Sequence, residues 1–431
     1  MNKSKPILDV CIIGSGYAGL NAARILSSHK IKAEIYSSGY GASQLWAGTF
    51  DFLNLDNFKH EKIQNQLEIL KDLSPLHPYR NLEYDRVKES FINFSKEFPM
   101  IDLFIKDGEF MNKNVLTLIG NLKPCLGVWK TVFNEFESLK PNRIVILVDF
   151  IEFNNTSMYL VKKSLEVKFL CEVIIIEISF FELTTLCIDE RENTYLNSRL
   201  SETRIGRFFD KHCKDLKIFS DFIITILSKK MENSQIPKIE AYLFPPILGL
   251  ENNIEIIDQL TGLLKKPCRE LVALSPSLLS RRLENSFKEI LEERNFKIHK
   301  PFTLIDIEFN SCQSRKIWIL TFKKRNEMEV KVKAKNILIA TGSLFSTGCL
   351  ESSDLMKKTF NKINIDLSNQ PTNNFELVHR NSDKSHIYLC GSSIYFFNED
   401  LTDEDEIKFF TGLGLAITTS YNVANFIIKS K

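Results

Sequence analysis

The sequence has no paired cysteines. Its 9 cysteines, from Cys11 to Cys390, stand singly, and none forms a CxxC step. This argues against an iron–sulfur cluster or structural zinc built by local spacing, and no metal ligands are expected. An odd count without a secretion signal fits a reducing cytoplasm better than a disulfide scaffold. An excess of one charge is missing too. Lys plus Arg number 56 against 54 for Asp plus Glu, a formal net charge of +2, so global charge gives no footing for nucleic acid or an anionic membrane. No apolar run is clean enough to cross a bilayer: the most hydrophobic segment, residues 169–188, carries Glu172, Glu177 and Glu182. That segment reads instead as a buried strand followed by a partly exposed helix. HExxH is absent, and no nearby Ser/His/Asp or Cys/His grouping calls for nucleophilic catalysis.

What is present suits a folded protein of about two or three domains: 431 residues, 44% hydrophobic and 26% charged. The 33 phenylalanines carry no functional weight by themselves. Residues 7–13, ILDVCII, read as a buried strand that runs into Gly14-Ser15-Gly16-Tyr17-Ala18-Gly19. A helical pattern, LNAARILSSH, and a second strand, IKAEIYS, follow. GxGxxG therefore stands in the strand–turn–helix–strand context of a dinucleotide-binding α/β unit. Gly14 permits the tight turn, Gly16 lets the backbone approach a phosphate, and Gly19 lets helix and strand pack. Ser15 and Ala18 complete this cradle, whose helix N-terminus offers N–H groups and a positive dipole end.

One element is missing. The second strand should end in Asp or Glu to hold an adenosine ribose. Ser37 and Ser38 stand there instead, and Glu34 comes too early. Either an adenine dinucleotide is held without a carboxylate, or the ligand is a mononucleotide.

Further along come Ser38 to Leu53 (SGYGASQLWAGTFDFL), His77-Pro78-Tyr79, Leu116 to Gly120, Pro245 to Gly249, and Pro276-Ser277 with Arg282 to Asn285. The segment from Ala340 to Gly348 (ATGSLFSTG) and Gly391-Ser392 complete the series. In order, over nearly the whole chain, these resemble the B subunit of anaerobic glycerol-3-phosphate dehydrogenase; the HPY and ATGS pieces are the specific ones. The resemblance implies a Rossmann-like FAD/NAD(P)-binding flavoprotein fold with an inserted second domain. Residues 1–60 and 331–431 are then the nucleotide-binding domain and 61–330 the insertion. It implies FMN as cofactor, with FAD the alternative. It also implies assembly with an FAD-containing catalytic subunit and an iron–sulfur, membrane-associated subunit. Such a complex oxidises glycerol 3-phosphate to dihydroxyacetone phosphate and passes electrons to quinone; this chain would be cytoplasmic, or peripheral at the membrane through a partner. The competing readings are a self-contained FAD oxidoreductase of a small hydroxy or amino acid and a cofactor-free scaffold subunit. The sequence departs from the family at Thr411 to Ala416 (TGLGLA), which lacks a triple glycine and its cysteine.

The strand-like KAKNILI ends in Ala340-Thr341-Gly342, where small residues admit close backbone approach on the pyrophosphate side. Gly391 and Ser392 end another strand and are expected at the flavin ribityl or phosphate. Gly412 and Gly414 open a final helix whose dipole end is expected at the O2/N1 edge of the isoalloxazine. Ser43, Gln44, Gly48 and Thr49 are expected around the ring. Trp46 either stacks on it or belongs to the core, and Asp51 reads as a cap or turn residue rather than a base. Arginines suit a phosphorylated polyol or a partner carboxylate because planar guanidinium forks grip oxyanions; of Arg199, Arg204, Arg207, Arg281 and Arg282, the resemblance favours Arg207 and Arg282, which lie in segments similar to the family's. Solvated helix-face arginines are the bland alternative. His77 is the candidate acid–base residue, set against a turn-stabilising role.

Overall fold

The computed structural model describes residues 6–39, 41–52, 64–65, 67–68, 78–153, 157–189, 193–195, 200–211, 216–231, 238–310, 316–324, 328–342, 372, 374–377, 386–397 and 412–431. The sequence LDVCII is apolar on both faces and forms β1 (Leu8–Ile13), buried except at Asp9. The chain turns through the glycines into α1 (Tyr17–Ser28) and returns as β2 (Ala33–Tyr36), parallel to β1 with Ile13 opposite Tyr36. Beyond it α2 (Tyr84–Glu97) buries Phe91 and Phe94. Phe91 meets Phe50 edge-on at 5.1 Å, and Phe94 stacks on Phe98 at 4.4 Å. Each such buried ring contributes roughly 1.5–3 kcal/mol. Part of the phenylalanine surplus is thus core material.

A second α/β unit follows. It comprises β3 (Ile144–Phe150), α3 (Met158–Phe169), β4 (Glu172–Ile178), α4 (Phe180–Cys187), α5 (Glu202–Lys211), α6 (Leu216–Lys230), β5 (Ile239–Phe244), α7 (Asn253–Leu264) and β6 (Cys268–Glu270). Its strands run parallel in the order β4-β3-β5-β6. Segment 169–188 takes the strand-then-helix form read from its sequence, with Glu172 and Glu177 exposed on the edge strand β4. The Glu152 carboxylate accepts the Ser179 hydroxyl and the Phe180 N–H, both at 2.7 Å, which anchors the start of α4. Among the described residues no helix is long and apolar enough to cross a membrane.

The chain then rejoins the first sheet. α8 (Leu278–Glu293) packs on α1, and β7 (Lys297–His299) pairs with β2. β8 (Phe302–Asn310), β9 (Ile317–Lys324) and β10 (Glu329–Ile339) form an antiparallel meander. β10 serves two neighbours along its length: Glu329 to Ala334 pairs with β9, while Ala334 to Ile339 runs parallel to β1. β11 (Ile387–Leu389) flanks its C-terminal end, and α9 (Leu413–Lys429) packs on α1 and α2. The sheet is therefore rejoined at Lys297 rather than at residue 331. Residues from Tyr79 to Val132 also contribute to its core. The expected 61–330 insertion is too long at both ends, because the meander pairs directly with β10.

One buried ion pair joins the two units. Glu270, at the end of β6, accepts Arg282 Nη1 at 2.6 Å and Nη2 at 2.9 Å, the Leu248 N–H at 2.9 Å, and the Thr131 hydroxyl. Arg282 Nε donates to the Gly249 carbonyl at 2.9 Å. Arg282 belongs to α8, so the pair ties the second sheet to a helix of the first unit. The expectation that Arg282 grips a ligand oxyanion is corrected: its fork is engaged inside the protein, with 1% of the side chain exposed. Replacing Glu270 by Ala strands this guanidinium, and urea unfolding is expected to show a loss of about 3–5 kcal/mol; a loss below about 1 kcal/mol contradicts the coupling role.

Candidate functional site

The C-terminal ends of β1, β10 and β11 bring together the glycine turn, Ala340–Gly342 and Gly391-Ser392. Gly14 has φ +106°, and a Cβ there would lie 2.4 Å from the Ala340 carbonyl oxygen. A Cβ on Gly19 would lie 2.1 Å from the Gly14 carbonyl oxygen. The fold itself demands both glycines. Gly391 closes in the same way on Ala18, and its N–H donates to Thr419 Oγ1 at 2.7 Å. Gly16 is different. Its φ of −74° is ordinary for any residue, and a Cβ there meets no atom of the described residues within 4 Å. Among the described residues neither backbone nor packing requires glycine at 16. Its bare backbone keeps space open at the N-terminus of α1, where no described side chain caps the helix and N–H groups can meet an anion.

Where a ribose carboxylate is expected, hydroxyls stand instead. Ser15 Oγ donates to Ser37 Oγ at 3.0 Å, and Ser37 Oγ donates to the Gly39 carbonyl at 2.9 Å; Ser38 lies half-buried between them in sequence. Glu34 does not take over the missing role. Its carboxylate is held by His299 at 2.9 Å, by the Tyr36 hydroxyl at 3.1 Å and by Lys297 at 3.7 Å. The His299 hydrogen bond pulls the Glu34 carboxyl below its ordinary value, against burial, which raises it.

The segment after β2 lies against α9. Gly48, at φ +98°, has no room for a Cβ against Leu279. Thr49 is buried, and its hydroxyl accepts from Lys123 Nζ at 2.8 Å; the same ammonium donates to Asp51 Oδ2 at 2.9 Å. The Asp51 carbonyl accepts the Gly414 N–H at 3.0 Å, and Gly412, at φ +122°, abuts the Asp51 side chain. Gly414 lies in the first turn of α9, and its N–H is engaged by the Asp51 carbonyl. The Asp51 side chain is an ion-pair partner, while its carbonyl meets the first turn of α9. Trp46 is a core residue, edge-on to Tyr17 and to Trp129 at 6.1 Å each, with Nε1 donating to the Thr49 carbonyl at 2.6 Å. Ser43 is buried and Gln44 half-buried in the turn Ala42–Leu45. Thr341, Gly342 and Ser392 are half-buried, and Ala340 is buried.

Lys123 carries no sequence signal. It is a single lysine before Pro124, and its partners lie 74 and 72 positions away. Arg207 is exposed on α5, in the second unit, and is not brought to the strand ends around Gly16. His77 lies outside the described residues. Its neighbour Tyr79 is buried, with its ring centre 4.9 Å from that of Phe52. Burial pushes the thiols of Cys11, Cys125 and Cys390 well above their ordinary value, which keeps them inert. Among the described residues no group of three or more His, Cys, Asp or Glu is placed to hold a metal.

No family model matches the chain. Full-length relatives do. The B subunit of anaerobic glycerol-3-phosphate dehydrogenase from Aliivibrio fischeri (strain ATCC 700601 / ES114) is 22% identical over 466 residues, covering 98% of this chain and 95% of that protein. The protein of the same name from Haemophilus influenzae (strain PittEE) is 23% identical, covering 97% and 99%. The chain is a relative of this B-subunit family. Similarity to the family recurs in Actinobacillus pleuropneumoniae at 22% identity, over 81% of this chain and 78% of the other. Among solved structures, 3-ketosteroid delta1-dehydrogenase from Sterolibacterium denitrificans superimposes with a TM-score of 0.35 at 10% identity, covering 88% of this chain and 59% of that one. A flavoprotein/dehydrogenase from Cytophaga hutchinsonii gives 0.25 at 10% identity, covering 78% and 40%. Superpositions this loose add nothing to the strand order and the glycine turn, which define the Rossmann-like α/β fold of this B-subunit relative.

Because Glu34 titrates below its ordinary value of 4.5 in the folded protein, its contribution to stability is present above that pH and is lost as pH falls through the lowered value. Thermal melts of wild type and Glu34→Gln are expected to differ near neutral pH and to converge on acidification. A gap that stays constant with pH contradicts the Glu34–His299 assignment.

Proposed function

We propose that the chain is a flavin-binding subunit of an anaerobic glycerol-3-phosphate dehydrogenase. The assembly would convert glycerol 3-phosphate and quinone into dihydroxyacetone phosphate and quinol. The single observation that carries flavin binding is Gly16, a glycine that none of the described residues requires and a phosphate approaching the helix does. The residues fit such a group: Ser15 to Gly19 would hold the phosphate, and Ala340–Gly342 and Gly391-Ser392 would line the approach to it. Ser15, Ser37 and Gly39 bond to one another where a dinucleotide site keeps a ribose carboxylate. That arrangement supports FMN over FAD. When bound, a flavin supplies hydride and single-electron chemistry that amino-acid side chains lack. The chain's part is to bind it, orient it and set the charge around it. The lack of CxxC pairs in the sequence supports a division of labour in which iron–sulfur centres belong to a membrane-associated partner and substrate oxidation to an FAD-containing one.

Denaturing the purified protein and chromatographing the released flavin tests this directly. FMN is the expected result. FAD would favour a self-contained oxidoreductase, and no flavin after attempted reconstitution would favour a scaffold role. Dye reduction by this chain alone with glycerol 3-phosphate, at a substantial rate, would overturn the accessory role.

A further inference from the structure

Asp51 has one carboxylate oxygen held and one left over. Oδ2 accepts from Lys123 at 2.9 Å, whereas Oδ1 is buried and has no hydrogen-bond partner among the described residues. A buried acceptor without a donor carries an unreturned desolvation cost, and such an atom asks for a partner. Beside it, the Lys123 ammonium has three N–H donors, of which the bonds to Thr49 and Asp51 take two. An acceptor and a donor therefore stand next to each other on one edge. That edge lies where the 48–52 segment meets the first turn of α9, with Gly412 abutting the Asp51 side chain. A simple anion is a poor match, because the leftover oxygen of Asp51 would repel it. A neutral group with an N–H beside a C=O is a good one.

We propose that Asp51 and Lys123 receive the pyrimidine imide of a bound flavin, Asp51 Oδ1 accepting the N3 proton and Lys123 donating to a neighbouring carbonyl. This deepens the flavin-binding reading and rests on it. It assigns recognition of the ring to two side chains in place of the Gly414 N–H, which is engaged by the Asp51 carbonyl.

The test needs no turnover. Flavin-depleted full-length protein is titrated with the flavin it releases on denaturation and with the N3-methyl derivative of that flavin, and binding is followed by fluorescence. Wild type is expected to bind the methylated compound at least about tenfold more weakly, since a hydrogen bond to a charged acceptor is lost. Asp51→Asn, which keeps the volume but removes the charged acceptor, is expected to bring the two affinities close together. Equal affinities in wild type, or full discrimination retained in Asp51→Asn, overturn the assignment while leaving flavin binding intact. If wild type binds neither flavin, the flavin-binding reading falls first and this one with it. The wild-type comparison decides the matter even if the variant fails to fold.

Discussion

The site depends on how closely backbones can approach at the ends of β1 and β10. The turn after β1 passes so near Ala340 that a single methyl at Gly14 would collide with its carbonyl, and α1 begins so near the turn that Gly19 allows none either. Because β1 and β10 are adjacent parallel strands, this approach also fixes where the return segment Ala340–Gly342 lies. Gly391 brings a third strand end against Ala18 by the same means. Three strand ends thus converge on the N-terminus of one helix, and no described side chain fills the gap at Gly16.

Two charge networks, one half-buried and one fully buried, hold that geometry in register. Arg24, inside α1, donates to Glu97 of α2 at 2.5 Å, and Arg294, just past α8, donates to the other oxygen of the same carboxylate at 2.5 Å. Glu270 and Arg282 then fasten the second sheet to α8. Buried pairs of this kind are poor sources of net stability but are costly to break. They favour one relative placement of the helices that border the site. On a smaller scale, the Asp51–Lys123 pair ties the 48–52 segment to Lys123, while the Asp51 carbonyl holds that segment on the first turn of α9.

Local order is legible in the sequence and long-range pairing is not. The glycine turn can be read because the strand, turn, helix and second strand that mark it lie within Leu8 to Tyr36, and the strand-then-helix form of 169–188 because its glutamates mark the exposed side. The absence of a ribose carboxylate is visible at Ser37, although the hydroxyl network that replaces it is not. Arg282 suggests a ligand because an arginine fork suits oxyanions, and nothing local reveals that Glu270 already fills it. A domain boundary at residue 331 falls too late because an ATG turn marks the end of β10, whereas β10 enters the sheet as the last strand of a meander. Lys123 has no signal at all, since its partners reach it only through folding.

In this reading Gly16 serves a ligand and not the fold. Gly16→Ala tests it most directly, by measuring flavin content and melting temperature together on the purified full chain. The variant is expected to melt close to wild type, because a Cβ at 16 meets no described atom within 4 Å, yet to retain little or no flavin. A variant that keeps its flavin in full would contradict it.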